Sequence, residues 1–167
     1  MSIFRPATLG GIETSKNVAN YKATAETEIG ALVKLNDTAK EFTTVASEGE
    51  AKAAVYAVWQ NQDADFASVL GSGTNYTTVK AGEFGRLLYL PTFVGLKDGI
   101  EMGGDIIAAG TLAVGDTLVA NSAGKYAKTE DDSTYAISFV IREIIEETDF
   151  PRYICEVTIP EASATSV

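Results

Sequence analysis

The chain has 167 residues, 13 basic against 23 acidic, a formal net charge of −10, one cysteine and no histidine. A chain this acidic repels the phosphates on which nucleic-acid binders depend, so DNA and RNA are not expected as direct partners. The lack of histidine removes Ser-His-Asp and Cys-His nucleophile arrangements, the usual imidazole base and the common catalytic zinc sites. With 46% hydrophobic residues, a chain of this size can hide roughly 68 to 70% of its extended surface in a core of one ordinary domain.

In chain order, "SIFRPATLGGIETSKN" is small, polar and poor in apolar positions, and its start lacks the basic and apolar regions of a secretory signal. Residues 1–27 therefore read as an extended N-terminal arm that is mobile in the free protein. Ile3, Phe4, Arg5 and Pro6 form an aromatic, cationic and rigid anchor of the kind interfaces enrich, and they are the candidate partner-binding residues. The folded body is expected over 28–160 and a C-terminal tail over 161–167.

Short apolar runs broken by Gly, Asn, Asp and Ser predict strands at 28–35, 39–45, 52–59, 65–70, 76–80, 84–90, 105–108, 112–120, 125–128, 134–142 and 152–159. Their spacing is that of an all-β, mainly antiparallel barrel or sandwich with at most a short helix. No run approaches the roughly 20 apolar residues of a membrane-spanning helix, so a soluble chain is expected.

Two segments have a helical alternative. Ser47-Glu48-Gly49-Glu50 resembles a capping box leading into "AKAAVYAVW", and Ile137, Val140, Ile141, Ile144 and Ile145 fit a period of 3.6. Gly49 and the β-branched and aromatic content favour strands in both. Trp59, inside an apolar run, reads as core.

An internal repeat supports the strand reading. Gly30, Leu32, Val33, Asn36, Asp37, Lys40 and Tyr56-Ala57-Val58 are echoed by Gly115, Leu118, Val119, Asn121, Ser122, Lys125 and Tyr135-Ala136-Ile137. Each copy reads as strand, Asn-containing turn, strand, loop, strand.

Candidates for chemistry are few. Acidic positions gather at Asp98, Glu101 and Asp105 and again at Glu130, Asp131 and Asp132. Such residues concentrate in solvated turns, and the D-x-[DN]-x-[DN]-G calcium spacing is absent. "GSGTNY" lacks both the third glycine of a dinucleotide turn and the Gly-Lys of a phosphate loop. In "RYICEVTI", alternation places Tyr153, Cys155, Val157 and Ile159 on one face, so Cys155 reads as a buried core thiol. No catalytic residue, metal or cofactor is expected.

"YTTVKAGEFGRLLYLP", "GDIIAAGTLAVGDTLVANSAGKYAKT", "YAISFVIREI" and "RYICEVTIP" together resemble the β-rich head decoration, or cement, proteins of tailed bacteriophages. The resemblance spans roughly residues 28–160 and lies in an "AG-x-x-x-x-GD-x-L" hairpin, a "GKY" turn and the strand that follows. It implies a β-tulip-like body on the outer surface of the capsid, made in the host bacterial cytoplasm. It further implies a homo-oligomer, with a trimer favoured, that bridges major capsid protein subunits through terminal arms. The residues from Ala64 to Asn75 and the long N-terminal lead depart from that pattern. A tail-tube or head-fibre subunit, with the 64–75 loop pairing to neighbours, is the alternative within virions. A carbohydrate-binding module or small enzyme is the alternative outside them.

Overall fold

The computed structural model describes residues 4–7, 17–61, 77–146 and 151–161. Thirteen strands are named within them: β1 (Phe4–Pro6), β2 (Asn17–Ala23), β3 (Thr27–Glu28), β4 (Leu32–Asn36), β5 (Glu41–Thr44), β6 (Tyr56–Asn61), β7 (Thr78–Val79), β8 (Phe84–Tyr89), β9 (Ile100–Gly103), β10 (Thr117–Ala120), β11 (Tyr126–Thr129), β12 (Ser138–Ile145) and β13 (Arg152–Thr158). The one α-helix among the described residues, α1, covers Glu48–Ala53. The protein is all-β and mainly antiparallel, as its strand-and-turn pattern predicts.

Two strand assemblies share one plan. In the first half, β5, β4, β6, β8 and β2 are neighbours in that order and close into a barrel. In the second half, β11, β10, β12, β13 and β9 follow the same order, and β1 adds a sixth strand outside β9. The closing contact is also repeated. β2 pairs in parallel with β5 at Lys22↔Glu41 and Ala23↔Phe42, while Ile107, just past β9, makes a single parallel bridge to Tyr126 at the start of β11.

The predicted repeat lies at the centre of this duplication. Asn36 Oδ1 accepts the backbone N–H of Thr38 and Ala39, and Asn121 Oδ1 accepts those of Ala123 and Lys125. Each Asn side chain thus builds the turn of its own hairpin, β4–β5 or β10–β11. The third element of the repeat departs from expectation. Tyr56-Ala57-Val58 lies in β6, but Tyr135-Ala136-Ile137 precedes β12, which begins at Ser138.

One core joins the halves. Leu32, Phe42 and Leu87 of the first and Ile100, Leu118, Phe139 and Val157 of the second belong to a single buried cluster. Backbone bonds also cross between them, from Leu32 N–H to the Gly124 carbonyl at 2.9 Å and from Ala136 N–H to the Lys52 carbonyl at 2.7 Å. Within the barrel, Gly85 faces the Phe42 ring so closely that a Cβ there would stand 2.8 Å from it.

Local outcomes refine or overturn the sequence expectation in several places. A cap does form over Ser47–Glu50: Ser47 Oγ accepts the Glu50 N–H at 3.3 Å, and Glu50 Oε2 reaches back to accept the N–H of Ala46, just before the cap residue, at 2.8 Å. It nucleates only six residues before Val55 and Tyr56 turn the chain into β6, so the expected strand 52–59 splits into helix and strand. The segment 137–145 is a strand, as its β-branched content predicts, and its apparent 3.6 period comes from a bulge, since the β12–β13 register shifts between Ile141 and Glu143. One extra residue turns the i, i+2 spacing of the inner face into i, i+3. The expected strand 105–108 is instead a 3-10 turn over Gly104–Ile106.

The N-terminal boundary also changes. Asn17–Ala23 is a barrel strand and Phe4–Pro6 an edge strand of the second half, so the expected 1–27 arm contains two elements of the body. Tyr21 and Ala23 are buried, and Phe4 and Pro6 alternate inward about the exposed Arg5. These sparse apolar positions bury fully because each meets a prepared surface. The expected strand 65–70, the 64–75 loop, Ile3 and residues 162–167 lie outside the described residues.

Candidate functional site

Of the four anchor residues read from the sequence, Phe4, Arg5 and Pro6 are described, and all three meet the chain's own body. β1 runs antiparallel to β9 in the register Phe4↔Met102, Arg5↔Glu101, Pro6↔Ile100. Pro6 has no N–H to give, a lack that an edge strand tolerates. Ala7 N–H donates to the Gly99 carbonyl at 3.1 Å and extends the pairing by one bond.

The socket under Phe4 is built from distant parts of the chain. Its ring stacks on Tyr126, with centroids 5.9 Å apart and planes 16° from parallel. Tyr126 in turn meets Phe139 edge-on at 5.1 Å. Gly30 backs the socket at φ 89°, where a Cβ would come within 3.0 Å of the Phe4 Cβ and 2.8 Å of Ile106 Cδ1. Both the left-handed backbone and the close approach require glycine at position 30. Tyr126 is fully buried and donates its hydroxyl to the Gly30 carbonyl at 2.9 Å. Burial raises its phenol well above the ordinary value, so it remains a neutral donor.

Beside this socket lies Glu101, the central residue of the acidic run singled out in the sequence. It is 5% exposed and holds two guanidinium groups, Arg5 Nε at 2.7 Å and Arg152 Nη1 at 2.6 Å. Burial by itself raises the Glu101 carboxyl; the hydrogen bonds and charges of Arg5 and Arg152 outweigh it and hold the group below its ordinary value. Asp98 and Asp105, by contrast, are exposed. Among the described residues, no three of the Cys, Asp and Glu side chains come together as a metal-holding group.

Asp131 and Asp132 serve their own loop. The Asp131 carboxylate accepts the Ser133 N–H at 3.0 Å, and Asp132 accepts the Ser138 hydroxyl at 2.5 Å. Cys155 is buried on β13 and desolvation pushes its thiol up to about 12, as a core cysteine requires.

A second polar cluster, on the first half, was not singled out in the sequence. Tyr21 donates its hydroxyl to Asp37, while Lys40 Nζ sits 5.0 Å from the Tyr21 ring centroid and 3.4 Å from its oxygen. Tyr56 and Tyr89, directly paired across β6 and β8, bring their rings to 5.2 Å. Desolvation first, then the proximity of Tyr89, Asp37 and Tyr21, raises the Tyr56 phenol. These residues are scattered from 21 to 89, and only strand register brings them together. Trp59 is half-buried, with the Arg86 guanidinium 5.9 Å from its ring.

No protein-family model, curated protein or solved structure matches the chain. Its class therefore rests on the fold described above: an all-β protein of two small units on one strand plan, with its N-terminal strand added to the second.

Proposed function

We propose that this chain is a structural virion protein of a tailed bacteriophage, seated on the outer surface of the head and stabilising it by bridging major capsid protein subunits. The observation that carries the reading is the ordered resemblance to head decoration proteins. Its quoted segments overlap β7, β8, the β10–β11 hairpin, β12 and β13, while residues 109–116, which carry most of the AG-x-x-x-x-GD-x-L motif, form turn and loop ahead of β10.

Physical chemistry supports the same direction. Glu101, Tyr126 and Cys155, three buried ionisable groups among the described residues, are committed to ion pairs, a backbone hydrogen bond or packing. An acidic body suits an outer surface that faces solvent rather than packaged nucleic acid. A domain that binds only the assembled lattice stabilises it by mass action, and strand edges are a ready means of attachment. In this reading the partner is the major capsid protein, the protein acts as a homo-oligomer such as a trimer, and it uses no cofactor, nucleic acid or membrane.

The test is co-sedimentation of the purified full chain with undecorated phage heads and, separately, with unassembled capsid subunits. The reading expects saturable binding to heads, little binding to free subunits, and heads that survive heating or chelation better when decorated. No binding to heads, or self-assembly into rods without them, would sink it, the latter in favour of a tail-tube role.

A further inference from the structure

Among the described residues, β1 is the one strand of the second half for which the shared strand plan has no counterpart. It is tethered to the first half by the ten residues between Pro6 and Asn17, yet it docks on the second. It offers three residues and pairs with a single neighbour, β9. Its socket, formed by Gly30, Ile106, Tyr126 and the β9 edge, belongs entirely to the rest of the chain.

The polar groups beneath β1 each keep a partner when it leaves. Glu101 retains Arg152 at 2.6 Å, and the Tyr126 hydroxyl retains the Gly30 carbonyl at 2.9 Å. Undocking therefore exposes apolar surface and a strand edge but orphans no buried charge, which is the costliest consequence of breaking such a contact. A terminal element with these properties can be traded between identical chains at little cost, because the exchanged contact reproduces the closed one.

We propose that the β9 socket accepts the Phe4–Pro6 strand of a second copy of this chain, so that copies link by strand exchange. A second copy is the occupant because it brings the same aromatic side chain for the Tyr126 face and the same guanidinium for Glu101. Closed and exchanged forms differ chiefly in the tether. A tether of ten residues is short enough to hold its end at an effective concentration of about millimolar. The closed chain therefore prevails at micromolar concentration, and exchange takes over where copies are held side by side or concentrated beyond that value. This inference does not depend on the partner lattice being a capsid.

Arg5 and Glu101 stand directly opposite each other across β1 and β9, where a disulfide can form between introduced cysteines. Cys155, buried and with its thiol pushed up to about 12, stays out of the reaction. The full-length double variant Arg5→Cys/Glu101→Cys, oxidised at ~10 μM, is expected to lock within one chain. The two single variants, distinguished by mass and checked for folding by circular dichroism, are then mixed and oxidised at ~10 μM and at ~1 mM. Only an exchanged strand brings the introduced β1 thiol of one chain to the introduced β9 thiol of the other. The proposal expects that mixed disulfide to rise at least about tenfold in fraction between the two concentrations. Folded single variants that give no mixed disulfide at the higher concentration, beside a double variant that locks fully, would overturn exchange. A double variant that does not lock at all, beside a wild-type chain that shows no contact between the Phe4 and Tyr126 rings by nuclear magnetic resonance, overturns it too, because β1 would then not occupy the socket.

Discussion

The two halves begin from one strand order and dispose of their edges differently. β2 is seven residues long, so it reaches β8 on one side and β5 on the other, and the barrel closes. β9 has only four residues before the Gly104–Ile106 turn interrupts it, which leaves the bridge from Ile107 to Tyr126 as the closing contact. Its remaining edge is covered by β1. An open strand edge is an invitation to pair, and the comparison shows two remedies on one plan: lengthen the first strand until the sheet closes, or import another strand.

The sharpest way to break the comparison is to remove the residue both halves share. Tyr126→Ala empties a fully buried ring position and leaves the Gly30 carbonyl without its partner. It is expected to cost about 3–5 kcal/mol, read from urea unfolding, with amide protection falling in both halves together. Loss confined to the second half would show that the common core does not couple them.

Gly85→Val acts on the barrel alone, by pushing a side chain into the Phe42 ring. A cost of about 1–3 kcal/mol is expected, with exchange rates rising first among the barrel amides. Equal loosening of both halves would contradict the separate closure of the barrel.

Glu101→Gln tests the imported strand. Removing a buried carboxylate from two guanidinium groups is severe in a dry site, but Arg5 is 57% exposed, so screening reduces the expected cost to about 1–2 kcal/mol. The pH dependence has a definite sign. Because the folded-state carboxyl is held below the ordinary value of 4.5, its contribution is present above that pH and is lost as pH falls through the folded value. Wild type should therefore lose more stability between about pH 5 and pH 3 than the Gln variant. Parallel curves would show that the Arg5–Glu101–Arg152 cluster does not stabilise the fold.

The smallest effect lies outside the duplication. Ser47→Ala removes the α1 cap and is expected to lower stability by about 0.5–1 kcal/mol, measured by the same unfolding curves.

These contrasts also mark what the sequence could reveal. The Asn36 and Asn121 turns were legible because an Asx turn is local chemistry, complete within a few residues. Cys155 was legible from alternation with Tyr153 and Val157 on β13, although Ile159, expected on the same face, lies past the strand and is exposed, and Ile154 on the other face is buried too. The edge role of Phe4 was not, since its value comes from Met102, Tyr126 and Gly30, which are far along the chain and reach it only through the finished fold. The bulge in β12 gave a strand a helix-like period for a related reason, because one residue inserted opposite β13 changes the spacing, while its β-branched content still marked it as a strand. For the same cause Glu101 looked like one member of a solvated acidic run, while its neighbours across β1 and β13 make it a buried ion-pair centre.

The most direct test of the imported strand is nuclear magnetic resonance of the full chain as a dilute monomer. The account predicts contacts between the Phe4 and Tyr126 rings, whose centroids stand 5.9 Å apart, and an Ala7 amide protected by its bond to the Gly99 carbonyl. Random-coil exchange at Ala7, with no contact from Phe4 to Tyr126, would contradict it and return residues 4–7 to a free arm.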